Sequence, residues 1–238
     1  MQLSGVVLAA GEGRRLRPLT ERWSKPVLPI DGRPVIATLL RELRGAGLSE
    51  VTVVVGYLAE QVERLLGDGS GFGLSIRYAR QPAPDGSADA VRQALEAGVE
   101  PPLLVVGADT VFSRGDIGRA AAVWSASGAA GGLGVRPVAT GEPAHRASVR
   151  VSEGRVTALG GEDDDRLGAR MLAAAPLWFL DDRFVGQLEG LPGPPYELAE
   201  AGRRVLEAGE TMLALDLGPT RDLTHPEDLA RHNFPYLG

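Results

Sequence analysis

The 238-residue chain contains no cysteine. Disulfides and thiolate metal sites are therefore excluded, and a reducing cytoplasm is the expected compartment. Its three histidines, His145, His225 and His232, are too scattered to suggest a zinc centre. No apolar run approaches the roughly 20 residues needed to cross a bilayer, so no membrane partner is expected. The N-terminus enters a strand pattern directly, without the basic start and small-residue cleavage site of a secretion signal. A net charge of −6 argues against a nucleic-acid partner, because phosphate backbones are held by clustered cations. It leaves room for a small anion in a local basic pocket. Lysine is nearly absent as well: of 25 Lys plus Arg residues, Lys25 is the only lysine. The arginine bias and 32 glycines suit a GC-rich genome. Drift towards arginine makes the retained lysine notable.

What is present is an ordinary globular composition, 44% apolar and 24% charged, able to bury a core. Apolar runs alternate with helical patterns. Gly5–Ala10, Val51–Gly56, Leu74–Gln81 and Leu103–Asp109 read as strands. Pro34–Gly47, Leu58–Gly67 and Ser87–Gly98 read as helices, the second with Leu58, Val62, Leu65 and Leu66 inward and the third with Ser87 as its N-cap. Such alternation predicts parallel strands with crossover helices, a doubly wound α/β sheet. Ligands of these sheets bind beyond the carboxyl ends of the strands. That rule puts Gly11–Arg17, Gln81–Ser87 and Asp109 on one rim. From about Gly131 the pattern turns to shorter strands: Gly131–Val138, Ala147–Ser152 and Arg155–Gly160, then Ala169–Leu180 and Thr211–Gly218. Helices are expected at Tyr196–Gly209 and His225–Asn233, and a loop at Gly160–Gly168. There is no internal repeat or low-complexity linker, so one domain is expected.

The motifs lie on the predicted rim. Gly11-Glu-Gly13 is a glycine turn that can aim backbone N–H groups at phosphate oxygens. It is neither a Walker A loop nor a complete dinucleotide fingerprint. Arg14, Arg15 and Arg17 follow at once. They form either a solvated basic loop or a clamp for a shared anion. Lys25 precedes Pro26 and Pro29, which stiffen the chain around the ammonium. Asp109 ends a strand, as a turn residue or as a cation ligand.

"LAAGEGRRLRPLT", followed by "KPVLPIDGRPVI", resembles the N-terminal signature of the sugar-1-phosphate nucleotidylyltransferases, with Arg14 where Ser or Thr is usual. "RQPAPDGSADAV" (Arg80–Val91), "VVGADTVF" (Val105–Phe112) and "RDLTHPEDLARHN" (Arg221–Asn233) are similar to further segments of that family. The resemblance implies a Rossmann-like doubly wound mixed sheet of the nucleotide-diphospho-sugar transferase type with a β-rich second half. It implies one domain over 1–238, with a nucleotide-binding half at 1–112 and an acceptor-binding half at 113–238. Its implied substrates are an NTP, with dTTP or UTP favoured, and a sugar 1-phosphate. Arg15 and Lys25 would be catalytic. Leu8, Ala10, Gly11, Gly13, Arg14, Gln81, Gly86 and Ser87 would bind the nucleotide, Gln81 reading the base edge while Gly86 and Ser87 let the base approach the backbone. Asp109 and Asp222 would hold Mg²⁺. Asp216 is the rival of Asp222, which is preferred because the downstream Pro-Glu-Asp-Leu sets the register. Thr224 and Glu227 would form a capping box.

The likeness covers the first 112 residues well and the last twenty moderately. Between them the usual sugar-binding residues are missing: Ala147 replaces a glycine, Gly161-Glu162 stand where Glu-Lys is usual, and Met171–Phe179 lacks an asparagine. A nucleotide-binding regulatory homologue, or a transferase acting on a non-sugar phosphorylated acceptor, therefore stands as the alternative. The base, the acceptor and the oligomeric state stay open.

Overall fold

The computed structural model describes residues 3–138, 148–160 and 170–234. Ala147, Gly161, Glu162, His145 and most of the Gly160–Gly168 stretch lie outside them. In chain order the elements are β1 (Ser4–Ala9), a β2–β3 hairpin (Pro29–Ile30, Arg33–Pro34), α1 (Val35–Gly45), β4 (Glu50–Val55) and α2 (Ala59–Leu66). Then come β5 (Ser75–Arg80), α3 (Ser87–Glu96), β6 (Leu103–Gly107), β7 (Thr110–Val111) and α4 (Asp116–Ser125). The second half holds β8 (Gly131–Arg136), β9 (Ser148–Ser152), β10 (Arg155–Leu159), β11 (Arg170–Leu180) and α5 (Asp182–Gly186). It closes with α6 (Leu198–Glu207), β12 (Met212–Asp216), β13 (Arg221–Asp222) and α7 (Pro226–Asn233).

Nine strands form one sheet in the order β5-β4-β1-β6-β11-β8-β12-β10-β9. The first four are mutually parallel, and β11 reverses direction against both β6 and β8. This is the expected doubly wound mixed sheet. Its central strands β1, β4 and β6 are covered on both faces, which is why they read as apolar runs, whereas β5 and β10 alternate buried and exposed residues. Along β1, Val6 packs with α3, α5 and α6, while Val7 packs with α1, α2 and α4. One-residue alternation thus splits the core into two layers.

A third, smaller cluster matters most for function. Leu16, Leu28, Ile30, Val35, Val111 and Leu223 bury one another at the strand ends. They tie the Gly11–Arg17 loop, the Lys25 segment, β7 and β13 into one body.

Local expectations fail in four places. The α4 helix was not anticipated, because its Ala-rich stretch shows little periodic contrast. Leu65 is exposed, since Ala59, Val62 and Leu66 form the buried stripe of α2 and Leu58 precedes the helix at φ 51. Ser87 is not an N-cap: Gly86 holds that position, and Ser87 is the first helical residue. The cap of α7 falls on His225, because Pro226 takes the first helical position. Asp228, not Glu227, then accepts from the backbone N–H of Thr224 and His225 at 2.9 and 2.8 Å.

Gly86 has φ 105, and a Cβ there would lie 2.2 Å from the Tyr196 carbonyl oxygen. Gly86→Ala should therefore lower stability by about 2 kcal/mol or more, read as a fall in Tm. Gly45→Ala, inside α1 with nothing near the added methyl, should be neutral or stabilising by up to about 1 kcal/mol. Equal melting of the two variants would contradict this.

Candidate active site

The carboxyl ends of β1, β5 and β6 open onto one cleft of about 420 Å³. Every residue expected at the site, apart from Asp222, lines it: Leu8, Ala10, Gly11, Gly13, Arg14, Arg15, Lys25, Gln81, Gly86, Ser87 and Asp109. The parallel register explains the convergence. Leu8 pairs with Val54 on one side and Gly107 on the other, so the loops after β1 and β6 leave the sheet together. Asp222 lies behind the cleft, on β13, paired in register with Thr110.

The glycine loop is tightly anchored. Gly13 has φ 62, and the Thr20 hydroxyl donates to its carbonyl at 2.9 Å. Leu16 is buried beneath it. The three arginines divide. Glu12 pairs with Arg14 at 2.8 Å and with Arg17 at 3.4 Å, and the Arg14 hydrogen bond lowers the Glu12 pKa. The anion shared by the loop thus includes one of its own carboxylates. Arg15 makes no ion pair among the described residues and faces the cleft.

Lys25 packs its stem against Gly13, where an added Cβ would lie 3.2 Å from Lys25 Cβ and 3.4 Å from Cδ. Its ammonium donates to Asp109 Oδ2 in an ion pair largely shielded from solvent. Asp222 sits next to this pair. Burial raises its carboxyl pKa and the charge on Asp109 adds to that, while the Thr110 hydroxyl, Arg136 and Lys25 act in the opposite direction. Asp222 Oδ1 is buried without a hydrogen-bond partner. Asp216 is exposed at the far end of β12 and does not join the cluster.

Among the described residues no three His, Cys, Asp or Glu gather as a complete metal cage. Two carboxylates, one with an orphaned buried oxygen, fit a hard cation that takes its remaining ligands from water and phosphate. Mg²⁺ binds in that manner.

Gln81 is buried, and its amide N–H₂ donates to the Gly86 carbonyl at 3.0 Å and to Asp89 at 2.9 Å. These two acceptors fix the amide orientation and leave the Gln81 oxygen as the group offered to the cleft. Gly86 is required by the Tyr196 backbone, which a Cβ there would meet. Tyr196 N–H donates to Asp85 O at 2.6 Å, and Ala88 N–H donates to Tyr196 O at 2.9 Å. Glu197, which also lines the cleft, was missed in the sequence, where it sits in an unremarkable helix start.

A family profile described as nucleotidyl transferase matches residues 4–159. The chain belongs to the nucleotidyl transferase family. It is 39% identical over 110 residues to the N-acetylmuramate alpha-1-phosphate uridylyltransferase of Neisseria meningitidis serogroup B, covering 46% of this chain and 48% of that one. It is 39% identical over 136 residues to the CMP-5'-(3-aminopropyl)phosphonate synthase of Streptomyces rubellomurinus, covering 56% of this chain and 21% of that one. These matches span about half or less of the curated relatives. The solved UDP-glucose pyrophosphorylase of Acinetobacter baumanii superposes with a TM-score of 0.80 over 98% of this chain and 92% of that one, at 20% identity. The two share the fold. No helix among the described residues is long and apolar enough to cross a membrane.

A carboxyl with a raised pKa opposes folding once ionised. Its contribution is fully present below the unfolded value and lost as pH rises through the folded one. In metal-free protein, Asp222→Asn should therefore raise Tm at neutral pH, and the gain over wild type should shrink towards about pH 4. Melts in EDTA across that range check this. An Asn variant that melts below wild type at neutral pH would refute it.

Proposed function

We propose that the protein is a Mg²⁺-dependent nucleotidyltransferase. It would join an NTP, with dTTP or UTP favoured, to a sugar 1-phosphate, giving an NDP-sugar and pyrophosphate. Its substrates would place it in the cytoplasm. The observation that carries this reading is the convergence of Lys25, Asp109 and Asp222 at the foot of a cleft roofed by the glycine–arginine loop.

The chemistry asks for no side-chain nucleophile. An acceptor phosphate oxygen attacks the α-phosphorus in line, and the bond from that phosphorus to the oxygen bridging to the β-phosphate breaks. Positioning and charge neutralisation lower the barrier. The amides at Gly11 and Gly13, together with Arg15, would receive the β- and γ-phosphates and steady the departing pyrophosphate. Lys25 would leave Asp109 for a non-bridging oxygen of the α-phosphate. Asp109 and Asp222 would hold Mg²⁺, which supplies neutralisation of phosphate charge when bound. The Gln81 oxygen would accept the N3–H of uracil or thymine. Two relatives named for uridylyl and CMP products support a pyrimidine.

A second reading changes only the acceptor. The Streptomyces relative is named for an aminoalkylphosphonate product, which supports a non-sugar acceptor on the same catalytic cluster. A regulatory homologue without catalysis is opposed by the retained Lys25, Asp109 and Asp222. Pyrophosphate release from a panel of NTPs and acceptors with Mg²⁺ tests all three. Release with no combination would leave only the regulatory homologue.

Four substitutions refine the test. Asp109→Asn and Asp222→Asn should abolish Mg²⁺-dependent turnover, whereas Asp216→Asn should not. Lys25→Arg keeps the charge but puts a wider, planar head where the compact ammonium meets Asp109. It should lower kcat by about 100-fold, ~2.7 kcal/mol, with a much smaller change in nucleotide affinity. Equal turnover of Lys25→Arg and wild type would remove Lys25 from the mechanism. Calorimetry should show UTP or dTTP binding at least several-fold more tightly than ATP or GTP, and the reverse order would overturn the role given to Gln81.

A further inference from the structure

Beside the nucleotide cleft lies a second cavity of about 300 Å³, which shares Leu8, Ser87, Gly107 and Glu197 with it. Its floor is apolar among the described residues, made by Ala174, Pro176, Trp178 and Leu198. The β11–β8 ladder loses register between Ala174 and Trp178. Pro176, which has no N–H to donate, sits in that gap and opens the floor. Glu197 is the one ionisable side chain lining this cavity among the described residues.

The Glu197 carboxylate is held from one side. Its Oε2 accepts from the Ser87 hydroxyl at 2.5 Å and from the Ser87 backbone N–H at 3.4 Å, at the start of α3. The Ser87 hydroxyl oxygen in turn accepts from Leu198 N–H at 2.9 Å. This exchange engages the first N–H of each helix, Ser87 in α3 and Leu198 in α6, and the α3 dipole favours the negative charge. Below it, the Arg92 guanidinium lies 4.5 Å from the Tyr196 ring centroid and backs the segment. Glu197 Oε1 makes no hydrogen bond among the described residues. Glu197 is exposed and fronts both cavities.

We propose that Glu197 is a specificity-determining residue for the acceptor: its free oxygen receives a hydrogen-bond donor carried by the acceptor beyond its phosphate, while the apolar floor receives the acceptor's carbon face. This rests on the nucleotidyl-transfer reading above and deepens it. The donor chemistry has two sources, the hydroxyls of a sugar 1-phosphate or the ammonium of an aminoalkyl phosphate or phosphonate. Trp178 suits either, through C–H contact with a sugar or cation–π attraction to an ammonium. An acceptor with no donor beyond its phosphate is disfavoured, because it would cover the water-exposed Glu197 oxygen without giving it a partner.

Glu197→Gln is the decisive variant. The glutamine oxygen still accepts from Ser87, so the junction stays closed, but the outward atom becomes an N–H₂ donor. Wild type and variant are assayed for pyrophosphate release with UTP, dTTP, CTP, ATP and GTP. The acceptors are glucose 1-phosphate, N-acetylmuramate 1-phosphate, phosphoethanolamine, 3-aminopropylphosphonate and methyl phosphate. Wild type should prefer a donor-bearing acceptor over methyl phosphate, and which arm responds identifies the source. In Glu197→Gln, KM for that acceptor should rise at least 10-fold, with nucleotide KM within about twofold and Tm unchanged. Glu197→Ala should lower Tm as well, because the Ser87 junction opens. An unchanged acceptor KM in Glu197→Gln would make Glu197 a helix cap and nothing more, with the nucleotidyl-transfer reading intact. Methyl phosphate used as well as the best acceptor would overturn the proposal in the same way. No release by wild type with any acceptor would bring down the nucleotidyl-transfer reading itself, and this proposal with it.

Discussion

Two carboxylates must stand side by side, one of them with a buried, unpaired oxygen, without the chain opening to relieve them. That electrostatic constraint organises the site. Asp109 leaves the end of β6, and Asp222 arrives more than a hundred residues later on β13. Their repulsion is met by the Lys25 ammonium on Asp109 and by the Thr110 hydroxyl, which donates to Asp109 Oδ1 at 3.3 Å and acts to lower the Asp222 pKa. Only a rigid backbone can impose such an arrangement. The β7–β13 ladder and the Leu16–Leu223 cluster supply the rigidity, as buried apolar contacts stabilise what the charges oppose. A cation between the carboxylates would relieve the same repulsion, which is the physical link between the strain of the metal-free site and its proposed chemistry.

The two halves of the chain meet along a seam of backbone hydrogen bonds. Asp85–Ala88 from the first half and Tyr196–Leu198 from the second bind each other through main-chain groups and the Ser87 hydroxyl. Gly86 permits an approach no side chain would allow. The segment hydrogen-bonded to Gln81 is therefore the same segment that orients Glu197 towards the neighbouring cavity. The two cavities share one wall, so neither can shift alone.

Much of the fold was readable because burial writes itself into composition. Strands covered on both faces must be largely apolar, and β1, β4 and β6 are. Helices with one buried stripe must repeat every three to four residues, and α1 and α6 do. The α4 helix escaped because alanine and glycine suit its close approach to α1, where Gly118 faces Ala46. Small residues leave no strong periodic signal. The α7 cap was misplaced by one residue although Pro226 carried the information, since proline belongs at the first helical position. Ser87 looked like a cap because capping residues are recognised by type, while its actual partner is 110 residues away.

By itself, the sequence determined the alternation of elements, the glycine–arginine loop, the solitary lysine and the strand-end aspartate, because each depends on near neighbours in the chain. Tertiary structure decided which charges meet. It paired Glu12 with Arg14 and Arg17, leaving Arg15 to the cleft, and set Lys25 on Asp109. It brought Asp222 rather than Asp216 beside them, and turned Glu197 from an ordinary helix start into the carboxylate between two cavities. Those choices depend on distances across the sheet, set by strand register and side-chain packing, and no local pattern encodes them.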